Sequence, residues 1–240
     1  MTQWPEEFSK QFVDALDEGI ATGKESPRPI AVFDADGTLW DRDLGEAFLR
    51  WLIAGKRLLD VDYTEDIYAD YEERVEKDRT SAYTYAVQLM RGLPLRDILE
   101  WSLQLAYAWP NYRSSMKYLV HKLREEGFET WIVSASNEWS VTMAARFMGF
   151  EPDQCLGIKT VIHDGIITDE PSPPITCNKG KVEAINSIIG AGAIFAFGDS
   201  MGDFEMLESV LKPMVVGEYR KDNSELIQKA NERDWAVTLF

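Results

Sequence analysis

Residues 30–40 read IAVFDADGTLW, and the fold turns on how this stretch is read. Ile30 to Phe33 is a short apolar run, the pattern of a buried strand. It stops at Asp34-Ala35-Asp36-Gly37-Thr38, an acidic, turn-prone stretch. Asp34 and Asp36 stand two apart, so a strand continuing outward aims both toward one side. Two close carboxylates repel unless a cation or a shared proton intervenes. The pair therefore suggests a metal, or a division of labour between acid and base. An acidic turn without chemistry accounts for the same residues about as well, because Asp-Gly is common in turns.

Outward from this stretch the chain alternates. Before it, Trp4, Phe8, Phe12, Leu16 and Ile20 recur at four-residue spacing, which predicts an amphipathic helix starting at Pro5. Gly23 and the Pro27/Pro29 pair end it. After it, residues 42–112 change texture: helical patterns such as LGEAFLRWLIAGKRLL and LRDILEWSLQLAYAW, no β-run, and many Trp, Tyr and acidic residues. Helices are then expected at Met116–Glu126, Asn137–Met148 and Lys181–Ile189. Strands are expected at Thr130–Val133 and Ile194–Phe197, with edge strands at Met214–Val216 and Trp235–Leu239. Asp164-Gly165 between two β-like runs signals a hairpin. Strands alternating with helices imply an α/β fold with a parallel sheet and right-handed crossovers. The division that follows is a core of residues 1–41 and 113–240, with 42–112 inserted as a helical unit.

Composition narrows the function. The 240 residues are 45% hydrophobic and 28% charged, as in a soluble globular chain. A net charge of −16 repels nucleic acid and anionic membrane surfaces, so neither is an expected partner. Cys155 and Cys177 form no CxxC pair, and His121 and His163 are far apart in sequence, which argues against a zinc site. Buried free thiols are the expectation for both cysteines. The segment MTQWPEEFSKQF is acidic where a signal peptide is basic and apolar, and no stretch is long enough to span a membrane, so a cytoplasmic protein is expected. Oligomeric state is left open.

Three more polar clusters lie beside predicted sheet elements. Ser134, in IVSAS, ends an apolar run before a helix, where a hydroxyl and free N–H groups suit an anion; a simple helix cap by Ser134 or Ser136 is the plainer reading. CNKGKVEAI puts lysine at a helix start, unfavourable for the helix dipole unless it meets an anion. In FAFGDSMGDFEML, Asp199 and Asp203 are about one helical turn apart and offer the oxygen ligands that magnesium selects, although capping would also use them. In an open α/β sheet these clusters converge beyond the strand ends.

The four clusters, in this order, resemble the haloacid dehalogenase superfamily of phosphohydrolases. FDADGT is similar to its first motif, the serine of IVSAS to its second, the lysine of NKGK to its third, and GDSMGD to its fourth. The resemblance implies a Rossmann-like core, and residues 42–112 resemble the helical cap of phosphoserine phosphatase relatives. It further implies that Asp34 is a nucleophile forming an aspartyl-phosphate and that Asp36 protonates the leaving alcohol and later activates water. Magnesium would be held by Asp34, the Asp36 carbonyl and Asp199, with Asp203 ligating or orienting nearby. Ser134 and a lysine would bind phosphoryl oxygens, and Thr38 would fix the first loop. Of the two lysines the K-G-K-V spelling favours Lys179, with Lys181 as the alternative.

Asp36 sets dehalogenation aside. A phosphomutase, or an inactive binding module on the same fold, remains as a competing reading beside a phosphatase of small phosphate esters. The stretch WDRDLGEAF resembles bacterial phosphorylcholine phosphatases, and by that resemblance Asp43 and Glu46 would face the leaving group. Ten Trp and Tyr residues between Trp40 and Trp109 crowd this region. Aromatic faces with a carboxylate suit an ammonium, which gives phosphocholine or phosphoethanolamine a lead over phosphoserine, for which Arg74 and Arg79 would supply a carboxylate clamp. Closure of the cap about hinges near Trp40–Arg42 and Pro110–Tyr112 is expected to exclude bulk water.

Overall fold

The apolar run Ile30–Phe33 is strand β1, and parallel neighbours flank it on both sides. The structure, a computed structural model, describes residues 4–219 and 224–240. Beside β1 lie β2 (Glu129–Asn137) and then β3 (Cys155–Ile158); on its other side come β6 (Phe195–Gly198), β7 (Lys212–Gly217) and β8 (Ala236–Leu239). Every pairing in this six-stranded sheet is parallel. The chain builds one half from β1 outward, then crosses to build the other half from β6. The strand order therefore reverses between β1 and β6, which opens a crevice at their carboxyl ends.

Both faces of the sheet are covered, so its strands are apolar throughout. Ala31, Phe33, Phe195 and Phe197 point to one face, and Ile30, Val32 and Ala196 to the other. Helix α1 (Lys10–Gly23) lays Phe12, Leu16 and Ile20 on the first face, joined there by α6 (Ser114–Glu125) and α7 (Glu138–Met148). Helices α8 (Lys179–Ala184), α9 (Phe204–Glu208) and α10 (Glu225–Glu232) cover the second.

Some boundaries differ from expectation. Helix α1 begins at Lys10 and not at Pro5, because Ser9 caps it: the Ser9 hydroxyl accepts from the Phe12 amide at 3.1 Å and donates to the Val237 carbonyl at 2.6 Å. Cap and strand β8 thus hold one another, and Pro5 starts only a turn. The helix expected over Lys181–Ile189 starts at Lys179 and loosens to a π-helical turn at Ile185–Ile189. Asn137, not Ser134 or Ser136, caps α7, accepting from the Trp139 amide at 2.9 Å.

Between residues 44 and 108 the chain forms four helices: α2 (Leu44–Ala54), α3 (Ile67–Lys77), α4 (Arg79–Gln88) and α5 (Leu95–Ala108). Its two linkers run side by side, the Asp41 amide donating to the Asn111 carbonyl at 2.9 Å and the Arg113 amide to Leu39 at 3.1 Å. A third attachment was not foreseen. Strands β4 (Thr160–His163) and β5 (Ile166–Pro171) form the expected hairpin, with positive φ at Asp164 and Gly165 as a type I′ turn requires. That hairpin grips the α4–α5 loop: the Ile167 amide donates to Leu93, Gly92 to Ile167 and Leu95 to Gly165. Any swing about the linkers must carry the hairpin along or break these bonds. Among the described residues no helix is long and apolar enough to cross a membrane.

Gly19 shows how tightly α1 is seated. A Cβ there would fall 2.1 Å from the Phe195 ring, itself fully buried and packed on Phe197 and Phe128. Gly19→Ala should therefore destabilise the protein by about 1–3 kcal/mol through overpacking, although alanine is the better helix former by about 1 kcal/mol. Urea unfolding measures the difference, and a gain in stability would contradict this packing.

Candidate active site

The crevice at the end of β1 opens into a cavity of about 350 Å³. Its floor comes from the core and its roof from α2, α3 and α4. The Asp34 amide donates to the Phe197 carbonyl at 2.8 Å, which carries the strand's register one residue past β1. Asp34 is thereby delivered to the floor, 6% exposed. Asp199 follows β6 directly and lies beside it. A Cβ on Gly37 would fall 2.1 Å from Asp199 Oδ2, and Gly37 has φ +80°, so the first loop can pass this close only as glycine.

Asp34, Asp199 and Asp203 place one carboxylate oxygen each within 4.8 Å of one another. Lys181 answers part of this charge. Its ammonium is 1% exposed and donates at 2.6 Å to both Asp34 Oδ1 and Asp203 Oδ1. Asp203 Oδ2 accepts from the Asp199 and Ser200 amides and the Ser200 hydroxyl, so both its oxygens are engaged. Burial, and then the Asp203 charge, push the Asp34 carboxyl up to about 7 against the pull of Lys181. Burial, with Asp203 and Asp34, raises Asp199 well above the carboxylate range. Burial alone pulls the Lys181 ammonium down, but Asp203 and Asp34 outweigh it and the net shift is upward.

Lysine assignment is the main correction to the sequence reading. Lys179, favoured on spelling, is exposed and lies outside this cavity; Lys181 is the lysine in the site. The signal was present in the helix period. Lys181 shares a face with Ala184 and Ile185, three and four residues on and both buried, whereas Lys179 shares one with Glu183. Thr38 is a second correction. It is fully buried, does not line the cavity, and its hydroxyl has no hydrogen-bond partner among the described residues. Backbone bonds hold that loop instead, among them Gly37 N–H to the Trp40 carbonyl at 2.8 Å.

Ser134 lies at the floor, 1% exposed, and its hydroxyl accepts from the Ser136 amide at 3.1 Å. Asp36 is half-buried and accepts from Trp40, Leu44 and Ser136. Burial raises its pKa, with those donors opposing. Ser136, Asn137 and Asn178 also line the cavity. Ser136 follows from strand period, since Ser134 and Ser136 share a side, but that period does not mark Asn137, and nothing in the sequence marks Asn178, which sits at φ 49° just before α8.

On the roof, Asp43 caps α2 by accepting from the Glu46 amide at 2.6 Å and opens onto the cavity. Its carboxyl is raised well above the usual range by the surrounding protein and by Asp36. Glu46 also lines the cavity, but its carboxylate is held by Arg50 and the Tyr68 hydroxyl. Of the ten crowded rings only Tyr71 and Tyr83 reach the cavity. Trp51 and Trp101 pack in the core of the helical insertion with Arg57 over Trp51. Arg74 pairs with Asp70 and stacks on Tyr85, away from the site, while Arg79 lines it and has no ion pair with any described residue. Cys155 and Cys177 are free and buried, the latter at the cavity wall.

Comparisons with known proteins agree with this arrangement. The chain is 24% identical over 225 residues to the histidinol-phosphatase of Neisseria meningitidis serogroup C (strain 8013), covering 88% of this chain and 98% of that protein. It is 24% identical over 201 residues to the phosphorylcholine phosphatase of Pseudomonas aeruginosa, covering 68% of this chain and 56% of that longer protein. The apo form of phosphoserine phosphatase shares its fold at a TM-score of 0.56 and 16% identity, over 88% of this chain and 93% of that one. The family model for haloacid dehalogenase-like hydrolases matches residues 31–208, from β1 through the four carboxylates to α9, and the chain belongs to that family.

Proposed function

We propose that this hydrolase is a magnesium-dependent phosphatase of small phosphomonoesters, acting through an aspartyl-phosphate on Asp34. One observation carries the reading. A buried carboxylate faces a cavity, with a lysine at 2.6 Å and a second carboxylate, Asp36, aligned by three donors. Nucleophile, phosphate-holding cation and acid are the parts that phosphoryl transfer needs.

The donor set fits a hard divalent cation. Three carboxylates gather within 4.8 Å, and one lysine pairs with only two of them. Asp34, the Asp36 carbonyl and Asp199 would hold magnesium, with Asp203 orienting, since both its oxygens are already engaged. Bound there, the ion supplies charge neutralisation and Lewis acidity.

The chain's own residues account for the rest. A carboxylate oxygen of Asp34 attacks phosphorus, forming the P–O bond of an acyl phosphate as the ester P–O bond breaks. The leaving alkoxide takes the proton of Asp36. Water then attacks phosphorus, gives its proton to Asp36, and phosphate departs as the Asp34 carboxylate is restored. Lys181 and Ser134 hold the phosphoryl oxygens. The roof of α2, α3 and α4 excludes bulk water and limits substrate size, so folded phosphoproteins and nucleic acids are poor substrates.

An amino-alcohol phosphate suits the roof best. Asp43 and the Tyr71 and Tyr83 rings line the same cavity, a setting that attracts ammonium. The two curated relatives are named for esters of amine-bearing alcohols, which supports the same class. Arg79, unpaired among the described residues, favours a second reading in which a substrate carboxylate is bound, as in phosphoserine.

For the machinery, Asp34→Asn should lower phosphate release by more than about a thousandfold, because no other group forms the covalent bond. Lys181→Ala should lose at least about a hundredfold and Lys179→Ala less than about twofold. Equal effects at the two lysines would return the assignment to open ground.

Metal binding has a pH signature. With Asp34 raised to about 7, the cation-free fold holds its proton more tightly than the unfolded chain does. That contribution is complete below about pH 4 and is lost as pH rises through about 7. Chelated protein should melt lower at about pH 8 than at about pH 5.5, and magnesium should recover more at the higher pH. Melting curves unaffected by magnesium at both pH values would refute the metal site.

For the substrate, kcat/KM is to be compared for phosphocholine, phosphoethanolamine, histidinol phosphate, phosphoserine and glucose 6-phosphate. The amine esters should lead. Asp43→Asn, which keeps a good helix cap, should remove the preference by about tenfold. Glu46→Gln should matter less, its carboxylate being held by Arg50 and Tyr68. A lead for phosphoserine abolished by Arg79→Ala would favour the carboxylate reading.

A further inference from the structure

Asp36 is wired more completely than a general acid requires. Its Oδ1 accepts the Trp40 indole N–H at 2.7 Å and the Leu44 backbone N–H at 2.7 Å. Its Oδ2 accepts the Ser136 hydroxyl at 2.6 Å. A carboxylate oxygen has two lone-pair positions. On Oδ1 both are taken; on Oδ2 one is left.

The three donors come from different parts of the chain. Trp40 ends the first loop and is fully buried, its ring edge-on to Tyr112 at 5.9 Å. Those two residues also pair as an isolated bridge, so Trp40 stands where the two linkers of the helical insertion meet. Leu44 is the first residue of α2. Ser136 belongs to β2 and is pressed against the same helix: a Cβ on Gly45 would fall 2.6 Å from its hydroxyl oxygen. The Asp36 carboxylate is therefore seated only when α2 is seated.

We infer that Trp40 is a positioning residue for proton transfer: with the Leu44 amide it saturates Asp36 Oδ1, leaving Oδ2 as the oxygen that carries the proton to and from the substrate. The inference rests on the phosphatase reading and adds to it which oxygen acts and what aims it. The step itself is conserved in atoms: Oδ2–H breaks as the ester oxygen–H bond forms, and the P–O electron pair leaves with that oxygen. Without the indole N–H, the carboxyl can rotate and present either oxygen, so the proton is delivered less often in line with the departing oxygen.

Leaving-group dependence tests this, because a purely structural loss would not discriminate between esters. Trp40→Phe keeps a large buried ring and removes the donor. Leu44→Pro removes the second donor to the same oxygen at the first position of a helix, where proline is tolerated. The readout is kcat/KM, which reports the first step, for two substrates. One is the alkyl phosphate turned over best, whose alkoxide needs a proton; the other is p-nitrophenyl phosphate, whose phenolate does not. In each variant the alkyl ester should lose at least about tenfold and the aryl ester less than about threefold. The ratio is insensitive to partial loss of active protein, and either variant carries the test if the other fails to fold. Equal losses on both esters, or no loss on the alkyl ester, would overturn the positioning role while leaving the phosphatase reading intact. Wild-type protein inert on both esters would overturn that reading and this one with it.

Discussion

A buried ammonium between two buried carboxylates is the constraint on which the rest of the molecule depends. Lys181 reaches Asp34 and Asp203 at 2.6 Å each, and all three are almost fully enclosed. Removing one partner from such a set leaves an uncompensated charge and costs about 3–5 kcal/mol, whereas the intact set contributes little net stability. Its presence is better explained by chemistry than by stability. The architecture around it is arranged accordingly: Gly37 lets the first loop touch Asp199, and Asn178 takes a left-handed conformation so that α8 begins where Lys181 can point inward. Ser200 and two backbone amides fasten Asp203.

The sheet supplies the convergence. Asp34 and Asp199 stand at the ends of adjacent parallel strands, and Ser134 and Ser136 come from the far end of β2 on the other side. Segments more than a hundred residues apart meet because parallel strands end on one edge, and the reversal of strand order leaves a gap there. Packing two apolar faces keeps that edge rigid; the stacked Phe33 and Phe197 rings, 4.4 Å apart, tie the two central strands immediately beneath the site.

Core and insertion both line the cavity, and the two are not cleanly separate. The insertion contributes Asp43, Tyr71, Tyr83 and Arg79 to the cavity wall, and also the Leu44 amide to Asp36. The hairpin β4–β5, a product of the core segment, is bonded to the insertion through Gly92, Leu93 and Leu95. Roof and floor are thus linked both at Asp36 and at the hairpin, so a change in the roof is felt on the cavity floor.

Much of this was legible in the sequence. Apolar runs ending in acidic or hydroxyl residues located the strands and the positions of Asp34, Ser134 and Asp199, because a strand buried on both faces must be apolar until it emerges. The α1 stripe and the Asp164-Gly165 hairpin were equally local, since helix period and turn conformation are set by neighbouring residues. What only the tertiary structure decided was which groups face one another. Lys179 and Lys181 have the same charge and nearly the same neighbours; the helix period points to Lys181, but only the packing of α8 on the sheet brings it to Asp34 and Asp203. Of ten aromatic rings, two reach the cavity; most of the others, such as Trp51 and Trp101, pack in the insertion's own core, while Trp40 and Trp109 join the main core and Tyr107 is exposed. Trp40 reads as one more buried ring until folding brings its N–H to Asp36. Local conformation is written in adjacent side chains, but the partners of Lys181 lie 147 and 22 residues away, and burial selects them.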